Sequence, residues 1–217
     1  LTGAEFENLS KQHGNTCGLF PQSFQSACLG GMTATRAIGT FSTKYGKMDD
    51  MVTALNVVLP DGQIFHSHLA PKRSTGPELN QLFLGSEGVY GIITSVEMKI
   101  YPIAETRVFQ AYTFPSTHDG LSAIRNFIHK GLRPAVVRLY DEVEAVPKIA
   151  SYGYEKGFTL LILVFEGNKE MSELEARMTK EICLGNNGRY KGEKAAREWL
   201  ATRFSTKKML DFDAIRG

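Results

Sequence analysis

Hydrophobic positions along the chain follow two grammars, and the change comes near residue 105. Before it, short alternating runs are separated by glycine-rich and hydroxyl-rich stretches. Residues 51–59 carry Val52, Leu55, Val57, Val58 and Leu59 and predict a strand. Pro60-Asp61-Gly62 is a turn, since proline presets φ and glycine supplies the positive φ. Residues 63–68 then return as the second strand of a hairpin, with Ile64 alternating against Phe65 and with His66 and His68 on one face. The stretch that organises the chain is 85–102. Glycines at 85, 88 and 91 lead into a strand in which Val96, Met98 and Ile100 alternate with Ser95, Glu97, Lys99 and Tyr101. Glycine allows a tight turn and close approach of another group to the main chain, and successive N–H groups in such a turn can cradle an anion or the edge of a heterocycle. Pro102 closes this strand.

Upstream, Thr2 and Glu5 have capping-box spacing, Phe6 and Leu9 mark one helix face, and Gly14 is a terminator. A helix over 4–13 follows. Residues 17–46 are loop-rich, with one short helix expected around 28–38. Loops of that length inside a globular chain are functional or disordered, and Leu29, Met32, Phe41 and their neighbours argue for order. Residues 70–79 read as a polar loop and 78–84 as a short helix.

Beyond 105 the pattern becomes regular. Strands are predicted at 108–114, 135–140, 158–165 and 188–191. Helices are predicted at 117–130, with Thr117 as cap, at 141–149, at 169–183 and at 193–204. Residues 158–165 are almost continuously apolar, which places that strand centrally. Met171, Leu174, Met178 and Ile182 form one helical stripe. The order β-α-β-β-α-β is that of a ferredoxin-like α+β sandwich. Phe212 and Ile215 near the end have no obvious core partner.

Composition narrows the functional classes. An apolar fraction of 42% over 217 residues supports a packed core, with room for two small domains. A net charge of +2 is too mild for a nucleic-acid binder, and the C-terminal lysines and arginines are interleaved with Glu193 and Glu198 as on a solvated helix face. Cys17, Cys28 and Cys183 are odd in number and widely spaced, with no metal pattern, which fits a reducing compartment. No run reaches the ~18 apolar residues of a membrane span. The chain starts at Leu1 inside a helix entrance, so a fragment or processed chain is expected.

Four segments in order, PQSFQSACLGG (21–31), TRAIG (35–39), RSTGP (73–77) and GSEGVYGIIT (85–94), resemble the second half of the FAD-binding domain of vanillyl-alcohol-oxidase-type flavoproteins. TRAIG, RSTGP and VRLYDE (137–142) are most similar to the alkyldihydroxyacetonephosphate synthase branch and its bacterial relatives. The resemblance implies an α+β chain in which 1–105 is part of an FAD-binding domain and 106–217 is an incomplete ferredoxin-like substrate cap. The implied cofactor is FAD. A hydroxyl-rich loop near its diphosphate corresponds to Gln22, Ser23, Phe24, Gln25, Ser26, Ala27 and Cys28, with Gly30 and Gly31 following. Thr35, Arg36, Ala37 and Ile38 form a second contact. Glu87, Gly88, Val89, Tyr90, Gly91, Ile92 and Ile93 form a third, where main-chain groups meet the cofactor.

The resemblance has departures. Where the family commonly has Phe-Ser-Thr, this chain has Ser26-Ala27-Cys28, so two hydroxyls are lost and a thiol is a weak substitute. Ile38 stands where serine is common, and Met32 where an aromatic is common. The family's other FAD half is expected before Leu1, and its histidine cluster and catalytic tyrosine after Gly217. The 217-residue chain alone is therefore expected to hold FAD weakly and to have no turnover.

The implied reaction exchanges the acyl chain of acyl-dihydroxyacetone phosphate for a fatty alcohol, through a flavin N5 adduct and without net redox change. Arg138 is the candidate catalytic residue, able to hold a phosphate or carboxylate bidentately; the plain alternative is an ion pair with Asp141 or Glu142. The competing functions are an FAD-linked 2-hydroxy-acid dehydrogenase of the D-lactate or glycolate type, and a non-catalytic structural module. The resemblance implies a small-molecule or lipid-phosphate substrate and a cytoplasmic location, peroxisomal in a eukaryote. It leaves a homodimer open.

Overall fold

A computed structural model describes residues 1–70, 74–155 and 158–203. They form two compact units, the first Leu1–Ile103 and the second running on from Ala104.

The first unit begins with α1 (Gly3–Gln12), whose N-terminus is closed by the Thr2–Glu5 capping box. The helix buries Gly3, Glu7 and Ser10 rather than the expected Phe6–Leu9 face, and Leu9 is exposed. A carboxylate can be buried there because it is fully bonded. Glu7 accepts from the Thr16 hydroxyl and the Cys17 N–H and pairs with Lys11. Burial, and then the Glu7 carboxylate, push the Cys17 thiol up to about 12.

Then come β1 (Asn15–Thr16), α2 (Leu29–Ala34), α3 (Ser42–Tyr45), α4 (Met48–Met51), β2 (Val52–Val58), β3 (Ile64–His66), α5 (Asn80–Phe83), β4 (Ile92–Met98) and β5 (Tyr101–Pro102). The sheet order β3-β2-β4 is antiparallel throughout. Leu55, Val57 and Phe83 are its buried core, with Val52, Phe65, Ile93 and Val96 packed around them. Two register shifts in the β2–β4 pairing interrupt the simple alternation read from the sequence, and Ile100 falls outside the strand. Pro102 pairs with Asn15 in the separate β1–β5 ladder, so a proline sits on an edge, as a residue without an N–H must.

The second unit contains β6 (Thr106–Phe114), α6 (Thr117–His129), β7 (Val136–Tyr140), α7 (Glu142–Tyr152), β8 (Thr159–Gly167), α8 (Lys169–Gly185), β9 (Arg189–Tyr190) and α9 (Lys194–Thr202). Its sheet order is β7-β8-β6-β9, all antiparallel, which is the ferredoxin-like arrangement. β8 is interior and buried on both faces. Leu161, Leu163 and Phe165 join Tyr112, Phe114 and Phe127 in a core under α6 and α8. Leu160, Ile162 and Val164 face the other side, where α7 and α9 pack. The cap of α6 is Ser116, one residue before the expected Thr117, because the Thr117 N–H and hydroxyl donate to Glu142. On α8 the buried stripe is Ser172, Ala176, Thr179 and Cys183, while Met171 is exposed. Small side chains let this helix approach the sheet closely, and Met178 and Ile182 pack at the margin of the core. The expected extension of the last helix to Phe204, together with Phe212, Ile215 and Arg73 of the RSTGP segment, lies outside the described residues.

Candidate functional site

α2 is the piece on which three of the sequence-selected stretches converge. The first stretch, Gln22–Cys28, is a tight turn. The Ser23 carbonyl accepts from the N–H groups of Ser26 and Ala27 at 2.9 and 2.8 Å. Phe24 is buried against Phe20, ring centroids 5.1 Å apart, while Gln22, Ser23, Gln25 and Ser26 are exposed. The turn is moored to α1. The N–H groups of Gly3 and Ala4, which a helix N-terminus leaves without internal partners, donate to Ala27 and Phe24 carbonyls. Gly3 must be small here, because an added Cβ would lie 2.6 Å from the Phe24 ring. Cys28 then caps α2, its Sγ accepting from Gly31 N–H at 3.3 Å. The thiol does the job a hydroxyl does better.

The second stretch ends α2. The Thr35 hydroxyl donates back to the Gly31 carbonyl at 3.0 Å, and Arg36 takes the left-handed conformation with φ +49°. Ile38 is 67% exposed, a large apolar side chain with no core to fill. The third stretch attaches to the same helix end. Gly85 N–H donates to Thr33 O and Glu87 N–H donates to Ala34 O, at 3.3 and 3.0 Å. Gly30 lies against β4, where an added Cβ would be 3.0 Å from the Ile93 carbonyl. Gly91 is buried and its missing Cβ would be 2.5 Å from Val58 O. Ile93 points into the core. Gly88, by contrast, has φ +88° and open space around it, and Val89, Tyr90 and Ile92 beside it are exposed.

This surface has the features a dinucleotide needs. The N–H groups of Gln22, Ser23 and Gln25 have no protein acceptor among the described residues, so backbone donors remain for a diphosphate. Exposed Ile38, Val89, Tyr90 and Ile92 offer apolar surface to a ring system. The polar cavity lined by Asp49, Asn80, Gln81 and Lys99 holds about 50 Å³, room for a water or two, so a flavin has no place in it. Among the described residues no cluster of His, Cys, Asp or Glu suits a metal ion. His66 Nδ1 lies 2.8 Å from Asn56 Oδ1 on the exposed sheet face.

Arg138 belongs to the second unit. It lies on β7, on the sheet face shared with Tyr140, and its guanidinium stacks 4.7 Å from the Tyr140 ring centroid. Its ion-pair partner is Glu144 at 3.6 Å, and both side chains are about half exposed (50% and 58%). The expected pairing with Asp141 or Glu142 does not form. Asp141 is the cap of α7, accepting from Val143 and Glu144 N–H, and Glu142 is bonded to Thr117. Two neighbours had no signal in the sequence. Trp199 Nε1 donates to the Tyr140 hydroxyl at 2.6 Å, and the Lys148 ammonium sits 4.3 Å over the same ring.

Comparison with known proteins reaches both units. Residues 1–68 match the family described as "FAD binding domain". An FAD-linked oxidoreductase of Escherichia coli K12, YgcU, is 34% identical over 177 residues, 81% of this chain and 36% of its own. The alkyldihydroxyacetonephosphate synthase of Caenorhabditis elegans is 33% identical over 205 residues, 83% of this chain and 34% of its own. A probable mitochondrial D-lactate dehydrogenase of Danio rerio is 34% identical over 168 residues, 75% of this chain and 34% of its own. The chain thus spans about a third of the length of these relatives. A solved alkyldihydroxyacetonephosphate synthase superposes with a TM-score of 0.84 at 26% identity, over 98% of this chain and 43% of that one. Among the described residues no helix is long and apolar enough to cross a membrane. Residues 1–68 thus belong to the FAD-binding domain family, the chain has the vanillyl-alcohol-oxidase-type fold, and its cofactor is FAD.

Proposed function

We propose that the protein carrying this chain is an alkylglycerone-phosphate synthase-like flavoenzyme. It would take acyl-dihydroxyacetone phosphate and a fatty alcohol, release the acyl chain as a fatty acid, and leave the alcohol oxygen in its place as an ether. The observation that carries this reading is the likeness to alkyldihydroxyacetonephosphate synthases, which covers 98% of the chain in the structural comparison. In this proposal the turn 22–28, residues 30–31 and 35–38, and the loop 87–93 hold FAD through backbone donors, small residues and apolar surface. The bound flavin supplies the electrophilic chemistry. Arg138 binds the substrate's phosphate. Its half-exposed guanidinium is paired with an exposed Glu144 at 3.6 Å, so an anion can recruit it at little cost.

The second reading is an FAD-linked 2-hydroxy-acid dehydrogenase, favoured by the D-lactate dehydrogenase relative. Arg138 would then hold a carboxylate. Anaerobic spectroscopy on the full-length protein separates the two. A flavin spectrum that changes with acyl-dihydroxyacetone phosphate but not with D-lactate or glycolate supports the synthase; bleaching by a hydroxy acid supports the dehydrogenase. No flavin at all supports a structural module. In the same protein Arg138→Ala is expected to cripple turnover with flavin content unchanged, and Gly88→Val to empty the flavin site. Loss of flavin in the first variant, or full flavin occupancy in the second, would sink the role assigned to that residue.

A further inference from the structure

We infer that Arg36 is a clasp that pre-sets the FAD-contacting backbone, a positioning residue rather than a ligand of the cofactor's diphosphate; this rests on the proposal that residues 35–38 and 87–93 contact FAD. The guanidinium is already engaged. Its Nε donates to the Leu84 carbonyl at 2.9 Å. Its Nη2 donates to the Gln81 side-chain oxygen at 3.2 Å and reaches the Gln81 carbonyl at 3.4 Å. Gln81 lies within the four-residue α5 and Leu84 is its C-terminal cap, so the cation satisfies carbonyls that so short a helix leaves without internal partners.

Two further observations point the same way. Arg36 has φ +49°, a conformation that costs a side chain with a Cβ and persists where surrounding contacts enforce it. Facing it is Gly85, φ +75°, whose added Cβ would lie 3.0 Å from Arg36 Cγ, Cδ and Nε. The arginine stem therefore fills the space that a side chain at 85 would occupy. Directly beside this contact, Gly85 N–H and Glu87 N–H bond to Thr33 and Ala34 carbonyls. Arg36 thus locks 84–87 onto the end of α2, and the exposed turn at Gly88–Tyr90 leaves that lock in one fixed direction. The planar fork is what fits two acceptors on one segment, and a lysine ammonium on a flexible stem does not reproduce it.

The test compares Arg36→Lys, Gln81→Ala and Gly85→Ala with the unaltered full-length protein. Amide hydrogen exchange is measured on the apo form, and FAD affinity by titration of the same samples. Arg36→Lys keeps the charge and loses the fork. It is expected to speed exchange at the Gly85 and Glu87 amides and to weaken FAD binding, each about tenfold, with the apo unfolding temperature nearly unchanged. Gln81→Ala, which leaves Arg36 itself intact, should show the same two effects at about threefold. Gly85→Ala should show the same two effects, with a lower apo unfolding temperature from the strain of its φ of +75°. If Arg36→Lys binds FAD as tightly as the unaltered protein and its 85 and 87 amides exchange at the same rate, the clasp is overturned. Weakened FAD binding with unaltered exchange also overturns it and makes Arg36 a direct ligand. Faster exchange in a protein that binds no FAD in any form upholds the clasp and removes the cofactor-contact reading instead.

Discussion

In the second unit β8 buries Leu160 through Phe165 in an unbroken run, and the helices on either side fit it with small residues such as Ala123, Ala176, Ala195 and Ala196. In the first unit the central strand β2 buries Ala54, Leu55 and Val57, and its sheet core is completed by Phe83 from a four-residue helix. The rest of that unit buries Leu19, Met32, Phe41, Met48 and Met51, and its surface segments are tied down by directional bonds: the Gly3, Gly85 and Glu87 N–H groups to the Ala27, Thr33 and Ala34 carbonyls, and the Arg36 side chain to the Leu84 carbonyl. The difference follows from what each has to present. A sandwich that buries both faces of its sheet gains stability from area removed from water. A surface that leaves backbone donors and apolar side chains uncovered buries less, so beside anchors such as Phe24 and Met32 its order draws on directional bonds and on positions that tolerate no Cβ.

The sharpest way to break that comparison is to remove a large ring from the second unit. Phe165 is fully buried, and Phe165→Ala should destabilise that unit by about 3–5 kcal/mol through lost burial and the cavity left behind. Trp199, the single tryptophan of these 217 residues, reports on the second unit by difference against Trp199→Phe, and FAD release reports on the first. In denaturant titrations of the full-length protein, the Trp199 transition should move to lower denaturant while the flavin transition stays. If both move together, the two units unfold as one and the contrast in how they are held has no thermodynamic counterpart.

A pair of glycines tests the first unit with a smaller change. Gly91→Ala places a Cβ 2.5 Å from Val58 O at the start of β4, a clash with main chain that cannot move without disturbing the sheet. Gly88→Ala meets nothing within 4 Å and is left with the strain of its φ of +88°, about 1–2 kcal/mol. Thermal unfolding should therefore fall steeply for Gly91→Ala and modestly for Gly88→Ala. Equal losses would mean that backbone conformation, and not close approach, governs this loop.

The same contrast decides what could be read from the sequence. In the second unit, strand order and helix positions followed from periodicity, because a packed sandwich writes its core into the pattern. Element ends differ by up to three residues, as in α7, which runs to Tyr152 rather than 149, and two assignments moved: Ser116 for Thr117 as cap, and the Ser172–Ala176–Thr179–Cys183 stripe for the larger Met171–Leu174 one. Both arise from a rule that looks for the larger or nearer candidate, where close packing and a competing bond to Glu142 chose the smaller and the earlier. In the first unit the stretches 22–28, 35–38 and 85–93 were legible as motifs, and their convergence on α2 is what the structure adds. The bonds that join them span 45 and 48 residues in the case of Arg36, and no local pattern encodes a pairing of that range. The burial of Glu7 was equally invisible, since the i,i+4 pair with Lys11 reads as a surface one and the partners that let it be buried, Thr16 and Cys17, carry no charge.

The smallest expected effect is electrostatic, and it sharpens the comparison from the polar side. Glu142 ties the start of α7 to the start of α6. A bond from its own backbone N–H, then the Thr117 hydroxyl and N–H at 2.8 and 2.7 Å, hold its carboxyl below the usual value of 4.5. A carboxyl whose folded value is depressed adds stability that is fully present above its unfolded value and is lost as pH falls through the folded one. The second unit should therefore weaken on acidification below pH 4.5, joined by Asp119, whose carboxyl is lowered by Ser116 and Asn187. Glu142→Gln should lower the Trp199-monitored midpoint at pH 7 and leave it nearly unchanged at a pH low enough to protonate the native carboxyl. An equal loss at both pH values would assign the effect to hydrogen bonding of a neutral side chain. The charge at Glu142 would then contribute nothing to joining the two helix starts.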